Sequence, residues 1–176
     1  MRRSLLPIAC MLLSPAAHAA DLRLSMPTGE KLVFTMPDDW RGKATSVMVG
    51  QPQVGRMVSG TPRQLEIIVS PLLAGSWRGL PTSRESVFAR VQDLASKTAA
   101  QAVEKQIPIE ELGVPGADGY YFFATDRAPK RGEFKYMLQG MFVAKDLTVA
   151  FTALMNGDPD GQTDAALAVI RSVRRE

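Results

Sequence analysis

Histidine and cysteine are almost missing from this sequence, which contains one of each, His18 and Cys10. Both lie within residues 1–20. If that segment is removed, the remaining chain has no imidazole to act as a general base and no thiolate to act as a nucleophile. It also has no ligands for a zinc–thiolate site and no cysteines for a disulfide. Those function classes are excluded for the chain from residue 21 onward.

Residues 1–20 have the pattern of a secretory leader. Arg2 and Arg3 supply the positive start, residues 5–13 form a short apolar run, and Ala17-His18-Ala19 is a small-x-small cleavage site. Cleavage is expected after position 19 or 20. The residues before Cys10 match a lipoprotein signal poorly. We therefore expect a protein exported to a bacterial periplasm or secreted.

No large charge of either sign remains after the leader, because residues 21–176 contain 19 basic and 18 acidic residues. A nearly neutral chain does not favour nucleic-acid binding, which depends on clustered lysine and arginine. No later apolar run is long enough for a membrane-spanning helix. We expect residues 21–176 to form a single domain whose stability comes from its core.

Alternation of polar and apolar residues predicts most of the strands. A turn at Pro27-Thr28-Gly29 predicts an opening hairpin, and Ala144-Lys145-Asp146 predicts a later one. Residues 120–124 are apolar on both faces, which indicates a strand covered by a layer on each side. Loops are expected around residues 51–52 and 60–62. The predicted strands span residues 22–26, 31–36, 45–50, 65–72, 103–110 (weakly), 120–124, 134–143 and 147–154.

Two helices are predicted. Thr82 and Glu85 have the spacing of a capping box at the start of the first helix. Apolar residues then recur at helical spacing, and Leu94 on this face and Phe123 in the apolar strand are expected to be buried. The last helix, capped by Asp160 or Thr163, would run to about residue 173. The order of elements predicts an α+β domain with a largely antiparallel sheet and helices packed against it.

This pattern resembles the PsbP/DcrB superfamily, which includes the Ran-binding Mog proteins. The similarity rests on a hairpin ending in Pro37-Asp38-Asp39-Trp40, the strand at residues 65–69, the helix after Thr82, Gly119-Tyr120-Tyr121 and a final helix ending near residue 173. The resemblance implies an α/β/α sandwich. It also implies a non-catalytic binding or assembly role, and it transfers no functional residue to this chain.

Catalytic and metal-binding motifs find little support. The chain has no Ser-x-x-Lys, Gly-x-Ser-x-Gly, His-Glu-x-x-His or P-loop sequence. Residues 156–164 echo a calcium-binding loop, but Leu167 stands where a bidentate glutamate belongs, so a turn before a capped helix is the better interpretation. No cofactor and no metal are expected.

Two further patterns, paired acids and methionines, are better explained by ordinary structural roles. Neighbouring acids, Asp38 with Asp39 and Glu110 with Glu111, would point to opposite faces of a strand and so do not form an acid–base pair. The methionines favour core packing over a thioether copper site because they are scattered and lack a partner histidine. They are Met26, Met36, Met48, Met57, Met137, Met141 and Met155.

One surface segment is a candidate for partner binding. Residues 125–132 and the following positions place Arg127, Lys130, Arg131 and Lys135 on a proline-containing connection. Such a cluster would suit an acidic protein partner or a lipid headgroup. The favoured function is a periplasmic, non-enzymatic binding or assembly-accessory protein with an unknown envelope partner. The alternatives are an enzyme that uses carboxylates from separate strands and a carrier of a small apolar ligand.

Overall fold

The computed structural model describes residues 19–59, 64–73 and 79–176. The predicted leader lies outside this part of the chain, apart from Ala19 and Ala20 at the start of the first strand. The loop predicted around residues 60–62 lies outside it as well. Within the described residues, ten strands and two helices follow one another in the expected general order. They are β1 (Ala19–Ser25), β2 (Lys31–Pro37), β3 (Arg41–Thr45), β4 (Val54–Val58), β5 (Leu65–Leu73), α1 (Arg84–Thr98), β6 (Glu110–Glu111), β7 (Asp118–Thr125), β8 (Tyr136–Ala144), β9 (Leu147–Met155), α2 (Pro159–Arg171) and β10 (Arg174–Arg175).

The strands form two antiparallel sheets. The large sheet has seven strands in the order β3-β4-β5-β9-β8-β7-β6, and the small sheet has the order β1-β2-β10. The two predicted hairpins, β1–β2 and β8–β9, are both present. Two ladders of equal length join β9 to β5 and to β8; in the first, Leu65 is opposite Met155 and Leu73 is opposite Leu147.

The large sheet is covered on both faces, and strand β7 shows how. Tyr120, Phe122 and Ala124 pack with α1 on one face. Tyr121 packs on the other face, in the core formed with the small sheet and α2. This is the two-sided burial predicted for residues 120–124. The domain is therefore α+β, with two helices packed against a large antiparallel sheet, as expected.

Both helices begin at a different cap from the one predicted. Helix α1 is capped by Ser83, whose hydroxyl accepts from the backbone N–H of Ser86, while the Ser86 hydroxyl accepts from the Ser83 N–H. The predicted Thr82–Glu85 box is one residue too early. Helix α2 is capped by Asp158 rather than Asp160 or Thr163, and its carboxylate accepts from the N–H groups of Asp160 and Gly161. Serine and aspartate both suit this position, so spacing alone did not distinguish the candidates.

The structure corrects the strand prediction at three places. Residues 45–50 do not form a strand, because β3 ends at Thr45 and the residues after it form a loop and turn. Strand β4 (Val54–Val58) was not predicted, since Gly55 and Arg56 interrupt its apolar pattern. Of residues 103–110, only Glu110 belongs to a strand, in the two-residue β6.

Leu94 and Phe123, which were expected to be buried, each lie one position away from a buried residue. Leu94 and Phe123 are only partly buried. On α1 the buried line is Val87, Val91 and Ala95, which leaves Leu94 at the flank of the helix. On β7 the fully buried ring is Phe122, whereas Phe123 lies near the end of the strand.

The methionines are mostly core residues, as predicted. Met48 is the exception, because 62% of its surface is exposed. Four others contribute to the main core, while Met137 and Met141 pack beneath α1. The four are Met26, Met36, Met57 and Met155.

We predict that Phe122→Ala destabilises the protein far more than Phe123→Ala. The first change leaves a cavity between α1 and the sheet and should lower the free energy of unfolding by about 3–5 kcal/mol. The second removes a partly exposed ring and should cost less than about half as much. Urea unfolding of both variants measures this difference. Equal shifts in the urea midpoint would contradict the layering described for β7.

Candidate partner-binding site

The basic segment lies between β7 and β8 and is held at both ends. At its base, the N–H of Asp126 donates to the carbonyl of Lys135 at 2.8 Å. The Lys135 N–H donates to Oδ1 of Asn156 at 2.8 Å, and the Asn156 amide donates to the carbonyl of Glu133 at 3.3 Å. The segment 126–135, called the basic loop below, is thus fastened to the start of β8 and the end of β9.

A tight turn forms the apex of the basic loop. The N–H of Glu133 donates to the carbonyl of Lys130 at 3.0 Å, and the Glu133 carboxylate accepts from the Lys130 N–H at 2.9 Å. Gly132 has φ of +90°, the positive value that a type II turn requires at its third position. Arg131 occupies the second position. Both bonds restrict the backbone while the side chains of Lys130 and Arg131 remain exposed.

Arg127 contributes to the fold rather than to a free cationic surface. Its guanidinium donates twice to the carbonyl of Ala102, from Nε at 3.2 Å and from Nη2 at 2.8 Å. Its backbone N–H donates to the carbonyl of Gln101 at 3.0 Å. Arg127 therefore ties the basic loop to the segment that follows α1. All four predicted cations lie on one connection. The guanidinium of Arg127 is bound to the backbone, whereas Lys130, Arg131 and Lys135 are exposed to solvent.

Lys135 lies over an aromatic pair. Its Nζ is 5.1 Å from the centroid of the Tyr136 ring, within the range of a cation–π contact. The Tyr136 ring in turn stacks on Phe123, with centroids 5.9 Å apart. Phe123, the residue expected in the core, thus supports the base of this surface. Sequence spacing alone did not indicate that role.

A pocket of about 190 Å³ adjoins the basic loop. It lies between the end of α1, the end of β7 and the start of β8, and its lining is mainly apolar. The polar groups at its rim include Gln101, Asp126 and Lys135. Its volume is below the roughly 300–1,000 Å³ of a typical small-molecule site. It is better suited to one side chain of a partner than to a whole ligand.

The cations at the apex of the basic loop form no ion pair within the described residues. Neither Lys130 nor Arg131 has an acidic group within ion-pair distance there. The two acids of the loop serve the backbone instead, because Asp126 accepts from the N–H of Ala128 and Glu133 accepts from the N–H of Lys130. An incoming acidic group would meet two available cations.

The described residues contain no cluster of acidic side chains that would support the alternative of a carboxylate-based enzyme. No group of three or more acidic, histidine or cysteine side chains converges in that part of the chain. Glu110 accepts a 2.5 Å hydrogen bond from the hydroxyl of Tyr121, and burial together with this bond raises the pKa of Tyr121 to about 12. Glu111 instead pairs with Arg84. The two glutamates thus serve separate structural contacts, as their alternation predicted.

Asp21 is also committed to the fold. A hydrogen bond from Arg174 lowers the pKa of the Asp21 carboxyl, and a hydrogen bond from Thr35 lowers it further. The Arg174 Nη2–Asp21 Oδ2 distance is 2.7 Å. This contact fastens the small sheet by joining β1 to β10. A carboxylate held ionised in this way is not a general acid.

Two pockets among the described residues bear on the alternative of an apolar-ligand carrier: a wide, open one of about 630 Å³ between β2 and α2, and a smaller, more enclosed one. The smaller pocket measures about 210 Å³, lies at the opposite end of the sheet from the basic loop, and has Lys145 and Arg175 at its rim. Arg175 is already paired with Asp146 at 2.8 Å. The volume again falls short of an ordinary ligand site. The apolar residues in its lining are Leu32, Val114, Phe142, Leu147 and Val173.

In class, this is an α+β domain with helices against a large antiparallel sheet, and its fold is PsbP-like. The solution structure of cyanobacterial PsbP (CyanoP) from Synechocystis sp. PCC 6803 aligns with a TM-score of 0.52 at 16% sequence identity. That alignment covers 94% of this chain and 98% of the cyanobacterial chain. The expected PsbP-like architecture is therefore confirmed as a likeness of structure.

A second solved structure is more distant. A crystal structure from Bacteroides thetaiotaomicron VPI-5482 aligns with a TM-score of 0.46 at 11% identity. The alignment covers 82% of this chain but 45% of the Bacteroides chain, so the protein spans less than half the length of that match. No protein-family profile and no curated protein matches this sequence. At these identities the comparisons show the fold alone. No helix in the described residues is both long enough and apolar enough to cross a membrane.

We predict that Arg127→Ala lowers the free energy of unfolding by about 1 kcal/mol, because the Ala102 carbonyl loses a charged donor. The matched change Arg131→Ala removes an exposed cation and should stay within about 0.5 kcal/mol of wild type. Urea midpoints of the two variants make the comparison. Identical midpoints would show that the Arg127 contact contributes nothing to stability.

Proposed function

We propose that the protein is an exported, non-enzymatic accessory protein that binds an acidic partner in the bacterial envelope through the basic loop. The observation that carries this proposal is the turn at residues 130–133. Its backbone is fixed by two hydrogen bonds, and its two cationic side chains are exposed and available.

The charge distribution supports an acidic partner. Cations concentrated on one loop of a nearly neutral chain steer a partner toward that loop instead of promoting general adhesion. Because the turn is already ordered, less conformational entropy is lost on binding. The adjacent pocket of about 190 Å³ supplies an apolar contact beside the charged one. Arg127 holds this arrangement in place, while Lys130, Arg131 and Lys135 face the partner.

Two properties of the described residues favour the accessory role over a carboxylate-based enzyme and over a carrier of a small apolar ligand. They are the contacts of the carboxylates and the sizes of the pockets. Glu110, Glu111 and Asp21 are engaged in hydrogen bonds or ion pairs that maintain the fold. The pockets of about 190 and 210 Å³ accept a side chain more readily than a ligand, and the larger one between β2 and α2 is wide open to solvent. The PsbP-like fold is compatible with an accessory role and does not by itself specify one.

Export is the first part of the proposal to test. In the host, the protein should be recovered from the periplasm or medium with Ala20 or Asp21 as its first residue, as N-terminal sequencing would report. Replacing Ala17 and Ala19 with phenylalanine should block processing, since both cleavage-site positions need small side chains. The matched control Ala16→Phe should be processed normally. An intact Met1 or a lipid-modified Cys10 in the wild-type protein would contradict the export prediction.

Partner binding by the basic loop can be tested by photo-cross-linking in living cells. With a benzoylphenylalanine at the exposed position Ala128, the protein should capture a defined envelope component. We predict that Lys130→Glu with Arg131→Glu abolishes capture through charge repulsion. The chain should still fold, because exposed charges contribute little to stability.

A charge change at two exposed cations outside the basic loop provides the control. Lys31→Glu with Arg90→Glu alters the net charge by the same amount and should leave capture unchanged. If the Lys130/Arg131 variant captures the component as well as wild type, the basic loop is only a connection between two strands. If both double variants lose capture equally, net charge rather than this loop governs binding.

A further inference from the structure

The β3–β4 hairpin presents the most exposed apolar residues of the described chain. Val47, Met48 and Val49 are 71%, 62% and 100% exposed, respectively. They belong to the stretch that its apolar content had marked as a strand. Instead they lie in the loop between Thr45 and Val54, at the tip of the β3–β4 hairpin. Exposing three consecutive aliphatic residues to water is unfavourable, and a contiguous apolar patch of this kind indicates a binding surface.

The tip has a defined conformation. The N–H of Gln51 donates to the carbonyl of Met48 at 3.3 Å, and Gly50 has φ of +75° at the third position of this turn. That arrangement is typical of a type II turn and places Val49 at its apex. The base is fixed by Gln53, which donates to the carbonyl of Ser25 at 3.1 Å and accepts from the Ser25 N–H at 2.9 Å. The apolar side chains are thus held outward.

The charge of the hairpin has one sign. Residues 40–59 contain three cations, Arg41, Lys43 and Arg56, and no acidic residue. The rest of the chain after the leader has 16 basic and 18 acidic residues, so the positive charge is local. Lys43 and Arg56 are directly opposite each other in the ladder and share a face with Arg41. Arg56 is paired with the buried Glu66, while Arg41 and Lys43 are exposed.

The spacing of apolar tip and cations matches a membrane surface. Lys43 is two residues before the end of β3, which places it roughly 7 Å behind the base of the tip. An interfacial element inserts its apolar part about 5–10 Å into the headgroup region and keeps its cations at the level of the headgroups. The next turn at this end of the sheet adds Lys145, and Asp146 beside it is neutralised by Arg175.

We propose that the β3–β4 hairpin attaches this protein peripherally to a bilayer of anionic phospholipid. Val47, Met48 and Val49 insert among the headgroups, Lys43 contacts the lipid phosphates, and Arg41, roughly 14 Å behind the base of the tip, adds to the attraction of the anionic surface. A protein partner fits this surface less well. The tip loop, residues 46–53, includes no aromatic side chain of the kind on which protein interfaces are usually centred.

Vesicle co-sedimentation tests the proposal. The chain from Ala19 onward contains every described residue and omits the leader, whose apolar run would itself bind lipid. It should sediment with vesicles of equimolar phosphatidylglycerol and phosphatidylcholine, but not with phosphatidylcholine alone. Val47→Ser with Val49→Ser should lower the partition coefficient roughly tenfold or more through lost apolar burial. Arg41→Gln with Lys43→Gln should lower it by a similar factor.

Matched controls lie at the other end of the sheet. Val103→Ser removes an apolar side chain that is 57% exposed, and Lys130→Gln with Arg131→Gln removes two exposed cations. Both controls should bind anionic vesicles like wild type. Thermal unfolding of every variant near the wild-type temperature confirms that folding is intact.

Four outcomes would overturn the proposal. One is the absence of wild-type binding, and another is equal binding to neutral vesicles. A third is equal losses in the test and control variants. The fourth is a wild-type dimer that the tip variant converts to a monomer, which would identify the tip as a contact between two copies of the chain.

Discussion

Burial of β7 and β8 on both faces is the constraint on which the rest of the structure depends. Phe122 and Leu138 face opposite sides of the large sheet, and both are fully buried. A strand pair of this kind needs a layer above and a layer below, because either face left in water would expose aromatic and aliphatic surface. Helix α1 supplies one layer, and α2 with the small sheet supplies the other. Without cysteine in the described fold, this layering has to provide the stability.

Once the faces are covered, the ends of the sheet are the places left for recognition. Both candidate surfaces are connections built in the same way, around a turn with glycine in its third position. Gly50 places Val49 at one apex, and Gly132 places Arg131 at the other. The turn fixes the backbone, while the residue in second position projects outward. An apolar residue at one apex and a cation at the other give the two ends different partners.

Sequence patterns predicted the interior better than these surfaces. Strict alternation or two-sided apolar runs identified β2, β5, β7, β8 and β9, since burial imposes the pattern directly. The same reasoning wrongly predicted a strand at Val47, Met48 and Val49. Their side chains are typical of strands, but the positive φ of Gly50 closes a turn there. Arg127 was grouped with the surface cations because its partner, the Ala102 carbonyl, is 25 residues away in sequence. The predicted cap at Thr82 was wrong by one residue because the residues on either side of the boundary offer similar hydroxyls.

The register of the large sheet connects the two proposals. Strands β3 and β4 run toward the end of the large sheet with Leu73 and Leu147, and their ladder stops at Thr45 and Val54, one residue past the Gly55–Val69 pair. Thr125 and Tyr136, which flank the basic loop, lie at the end with Met155. The β3–β4 tip and the basic loop thus leave their strands in opposite directions. A hairpin seated on anionic lipid would therefore direct the basic loop away from the bilayer, toward an acidic partner. Membrane attachment and partner binding are thus compatible on one molecule, because neither surface obstructs the other.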